Sequence, residues 1–189
     1  LAISRKIEFY LRPKLGSGQI LYATKLLLEK AEEFERSKRA QNSRPFVRDS
    51  FGLNTALEIL LASFRRQCSV VVLSDFSEAI NGRSEINFDL IETLSSLHNW
   101  NVMAIFLDDP QEFAWRSGSG VVRVKNVETG EVEKVKANRA RQIRQNFVEK
   151  REDLRQRLAK SGVDSTVLSF GDHFNQLSQF LSERQTKTW

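Results

Sequence analysis

The spacing of apolar residues changes period along the chain. Ile7, Phe9 and Leu11 alternate with Glu8, Tyr10 and Arg12, which predicts a strand. Residues 1–4 form its hairpin mate across a turn at Arg5 and Lys6, and Pro13 stops the pairing. Ile20, Ala23, Thr24, Leu27, Ala31 and Phe34 recur by threes and fours, a helix entered through Gly16-Ser17-Gly18 with Ser17 as its N-cap. Residues 37–50 are polar, contain Pro45 and read as a loop. Leu53, Ala56, Leu57, Leu60, Leu61 and Phe64 mark a second helix, whose end carries Arg65 and Arg66, suited to the negative end of its dipole. Thr55 lies three residues before Glu58, a capping-box spacing.

Two stretches abandon alternation altogether. Residues 70–74 and 102–107 are almost uniformly apolar, as strands covered on both faces are. Between them a polar loop with Asn81-Gly82 leads into a helix marked by Leu90, Ile91, Leu94 and Leu97. Helix, buried strand, helix, buried strand predicts a parallel sheet between helices. Val121 to Val124 and Val132 to Val135 then alternate with charged residues around Glu128-Thr129-Gly130, a half-exposed hairpin. A helix over 138–160 follows, with Ile143, Phe147, Leu154 and Leu158 inward and Gly162 closing it; a strand at 165–170 and a helix holding Phe174, Leu177 and Leu181 complete the pattern.

Length and composition narrow the class. With 189 residues, 40% hydrophobic content, 13 Phe and only 9 Gly and 3 Pro, the chain suits one packed domain, 1–189. Cys68 is the only cysteine, which excludes an internal disulfide and fits a reducing, cytoplasmic setting. Cys68, His98 and His173 make no zinc spacing. The net charge of +5 is concentrated between Lys134 and Lys160, where ten Lys/Arg face Glu149, Glu152 and Asp153. Arg139, Arg141, Arg144, Arg151 and Arg155 thus form a candidate basic surface for phosphate, anionic lipid or an acidic protein.

Asp75 is the leading candidate functional residue, because Ser74-Asp75 ends the first buried strand, and ligands of open α/β sheets gather at that edge. Asp108 and Asp109 end the neighbouring strand and extend the rim. No nucleophile elbow or phosphate-binding glycine loop is present, and Gly118-Ser119-Gly120 precedes a strand rather than linking a strand to a helix.

Val-Val-Leu-Ser-Asp-Phe at 71–76, Phe-Leu-Asp-Asp-Pro-Gln-Glu at 106–112, Val-Glu-Thr-Gly-Glu at 127–131 and Ser-Gly-Val-Asp at 161–164 occur in an order that resembles a bacterial family. It is the uncharacterised von Willebrand factor A-like family whose members accompany MoxR-type AAA+ ATPases. The resemblance implies a three-layer α/β fold: a mostly parallel, Rossmann-like sheet with an antiparallel edge hairpin and an inserted second hairpin. It also implies that the first strand and helix, which carry a D-x-S-x-S cation motif in such domains, precede Leu1. Asp75 falls on the later metal-loop Asp, whereas the Thr position falls on Phe51, with Ser50 one residue away. One carboxylate does not hold a hard cation, so no cofactor is expected unless the preceding segment supplies ligands. The resemblance implies a non-enzymatic scaffold working with the ATPase, membrane-associated only through a segment outside this chain. A sheet opened at its middle is expected to re-pair the N-terminal hairpin against 70–74 or to borrow a strand from a second copy.

Overall fold

The two apolar runs at the middle of the chain form adjacent strands that point the same way. The computed structural model describes residues 2–3, 7–11, 16–40, 52–64, 68–82, 84–97, 100–113, 120–125 and 132–187. The chain divides into two compact units, residues 1–52 with 123–133 and residues 53–122 with 134–189.

In the larger unit, β3 (Ser69–Ser74), β4 (Asn101–Asp108) and β7 (Asp164–Ser169) form a parallel sheet in the order β3-β4-β7. Val70 lies level with Val102, Ser74 with Phe106, and Asp108 with Ser169. Because strand residues alternate between faces, Val70, Val72, Val102, Ala104, Phe106 and Val167 share one face of this sheet. That face meets Leu57 of α2 (Leu53–Ser63), Ile91 of α4 (Phe88–Glu92), and Leu154 and Leu158 of α5 (Ala137–Lys160) in one hydrophobic core. Phe106 and Leu94 are wholly buried there, each worth about 1.5–3 kcal/mol in transfer free energy. On the opposite face, α6 (His173–Lys187) packs along β7. Arg184 of α6 bonds Asp164 and Asn101 from that side. Helices therefore lie on both faces of the parallel sheet, but Val71 and Leu73 of β3 are exposed, where the apolar runs predict strands covered on both faces.

The α5 terminus shows how sequence sets a boundary. Gly162 adopts φ 77°, its N–H donates to Ala159, and the Val163 N–H donates to Leu158. This reciprocal pair is a Schellman closure, and its flanking apolar residues, Leu158 and Val163, are both in the core.

In the smaller unit, β1 (Ala2–Ile3) and β2 (Ile7–Phe9) pair antiparallel, and α1 spans Ser17–Ala40. Intrahelical pairs Lys25–Glu29, Lys30–Glu33 and Arg36–Glu32 line α1, each contributing about 0.2–0.5 kcal/mol. β5 (Val121–Lys125) and β6 (Val132–Lys136), whose residues are divided between the two units, make a further two-stranded sheet, the inserted hairpin of the sequence pattern.

Several expectations need correcting. Among the described residues β1 and β2 pair with each other. α1 runs on to Ala40, since nothing in Ser37-Lys38-Arg39-Ala40 breaks a helix. The polar loop after β3 contains a one-turn helix, α3 (Ser77–Ile80), anchored by buried Ile80. α2 already begins at Leu53, which puts Thr55 inside its first turn and not at a capping position. The polar anchor at this end is Asn54, whose amide donates to the Glu85 carbonyl at 2.7 Å and accepts from the Asn87 N–H at 2.8 Å. The helix marked by Leu90 to Leu97 widens into a π-turn over Thr93–Leu97, where the hydroxyls of Thr93, Ser95 and Ser96 donate to carbonyls of the preceding turn. β7 is shifted one residue towards the N-terminus, with Asp164 opposite Met103. The turn at Arg5 and Lys6, Ser50, Phe51, Arg65, Arg66, His98, Gly118-Ser119 and Glu128-Thr129-Gly130 lie outside the described residues.

Candidate functional site at the C-terminal edge of the sheet

Where β3 ends, the chain turns sharply. Ser74 Oγ accepts the Phe76 N–H at 3.0 Å, and Asp75 Oδ1 accepts the Ser77 N–H at 3.1 Å. Phe76 itself sits in the left-handed region at φ 53°, uncommon for a bulky residue. Its ring compensates: it is 6% exposed and tilts against Phe106 with centroids 4.3 Å apart. The buried ring thus holds the turn, and the turn leaves Asp75 exposed at the sheet edge.

One strand over, Asp108 and Asp109 have different surroundings. Asp108 Oδ1 accepts from Arg151 Nη1 at 2.6 Å, and Ser169 Oγ approaches Oδ2 at 3.4 Å. Asp109 Oδ1 accepts the Gln111 N–H at 2.9 Å, folding the chain back through Pro110. That turn brings Glu112 close to the others. Its carboxyl is pushed above the ordinary carboxylate range, first by burial and then by the charges of Asp75, Asp109 and Asp108. Ser74, Asp75, Asp108 and Asp109 are therefore gathered at one edge, as the strand-end positions predict.

The apolar pattern does not single out Glu112, although the Asp-Asp-Pro turn that returns it is visible in sequence. The charge run places Arg151 on the basic surface, yet its side chain is only 14% exposed and neutralises Asp108. The contrary signal is in its spacing: Phe147, Arg151, Leu154 and Leu158 follow each other by fours and threes, so Arg151 occupies the inner stripe of α5. Arg155 is likewise turned to the sheet, bonding Ser165 Oγ and its carbonyl at 3.2 Å, and Glu152 at 2.9 Å. Arg157 lies over the Phe88 ring at 4.4 Å. Arg139 and Arg144 are exposed on α5, and the side chain of Arg141 is outside the described ones.

Chemically, the edge offers carboxylates. Among the described residues no group of His, Cys, Asp and Glu could hold a metal ion. A space lined by Leu57, Val72, Phe76, Val102 and Leu158 measures about 10 Å³ and belongs to the core. Burial pushes the Cys68 thiol up, which disfavours the reactive thiolate. His173 is exposed, its ring 6.4 Å from that of Phe170. Among the described residues no helix is long and apolar enough to cross a membrane.

The rise at Glu112 has a consequence for stability. An acid whose folded pKa is raised contributes its full share of stability below its ordinary pKa and loses it as pH climbs through the folded value. Glu112→Gln is expected to stabilise the protein slightly at about pH 7 and to change nothing near pH 4, the effect being small because the residue is largely exposed. Urea unfolding at both pH values checks this, and an equal effect at both would contradict it.

The family described as protein of unknown function DUF58 matches residues 2–157, from β1 into α5. No curated protein and no solved structure matches the chain.

Proposed function

The chain belongs to the DUF58 family, and from the chemistry of its sheet edge we propose that it is a non-enzymatic protein-interaction module. In this reading the fold is of von Willebrand factor A type, and the module works beside a MoxR-type AAA+ ATPase in assembling or maturing other proteins. The observation that carries the reading is the state of β3. Among the described residues it pairs with β4 alone, its Val71 and Leu73 are 45% and 62% exposed, and it ends at exposed Asp75. Apolar side chains on an open strand beside carboxylates are what a docking surface needs. Asp75 takes the place of a cation-loop carboxylate that now serves a turn and a partner.

Binding of an anionic partner through 134–160 draws less support, because Arg151 and Arg155 are spent within the fold. Calorimetry of the full chain with a purified MoxR-type ATPase from the same organism tests the reading. Binding that weakens with Asp75→Asn and survives Arg144→Glu supports it. No binding, or binding lost with Arg144→Glu and falling steeply with salt, overturns it. Turnover in a broad hydrolase substrate screen would also count against a non-enzymatic role.

A further inference from the structure

We draw no further inference here: the strongest candidate, the apolar face of α1 in the smaller unit formed by Ile20, Leu21, Leu27 and Leu28, carries nothing, because nothing in the structure shows what covers it.

Discussion

Phe106→Ala is expected to cost about 3–5 kcal/mol of unfolding free energy, read as a lowered urea midpoint. Phe106 is fully buried in β4, flanked by Ser74 and Val167 in register, and its ring is the surface on which Phe76 tilts. Truncation leaves a cavity beneath the one non-glycine residue with positive φ among the described residues, so the turn after β3 loosens with the core. The neighbouring Leu107→Ala is the control: that side chain is 46% exposed and should cost less than half as much. Similar losses at the two positions would contradict the assigned faces of the sheet. A change in the exchange rate of the Ser77 amide in Phe106→Ala would show the damage reaching the Asp75 turn.

Arg151→Ala is the second large effect. The Arg151–Asp108 pair is 14% and 23% exposed in its side chains, between the surface case, worth about 0–1 kcal/mol, and the buried case, where removing one partner costs about 3–5 kcal/mol. A loss of about 2 kcal/mol is expected, because Asp108 would lose its guanidinium partner at a half-buried sheet end beside Asp109 and Glu112. Removing Asp108 as well should recover part of it. The double-mutant cycle with Asp108→Ala is expected to show a coupling of about 1–3 kcal/mol. A coupling below about 0.5 kcal/mol would mean that the pair contributes nothing and that Arg151 is available to the basic surface after all.

Phe106 and Arg151 also mark how far the sequence could be read. The parallel pairing of β3 and β4 was legible because a short unbroken apolar run between polar turns suits a strand covered on both faces better than a helix with one wet side. The end of α5 was legible because Gly162 is required by its positive φ. The site was legible only in outline: strand ends placed Asp75 and Asp108 correctly, but the fate of each charge depends on what faces it across the fold. Charge runs hide such pairings, as Arg151 and Arg155 show, since a guanidinium on a long stem reads alike whether it meets water or a carboxylate. Boundaries set by polar back-bonding were harder still. The π-turn at Thr93–Leu97 and the Asn54 anchor depend on hydrogen bonds that periodicity does not register.

The two flanks of the sheet differ in the same physical terms. The core on one face is closed by α2, α4 and α5, whereas on the other face α6 packs along β7, Ile105 of β4 is buried, and Val71 and Leu73 of β3 are exposed.

Amide hydrogen exchange of the full chain, alone and with the MoxR-type ATPase, tests the interaction-module reading most directly, because it reads backbone pairing at the edge itself. Slowed exchange at residues 69–76 and 107–112 is the predicted result. Slowing confined to the exposed face of α5 around 139–150, or slowing nowhere, would contradict the account.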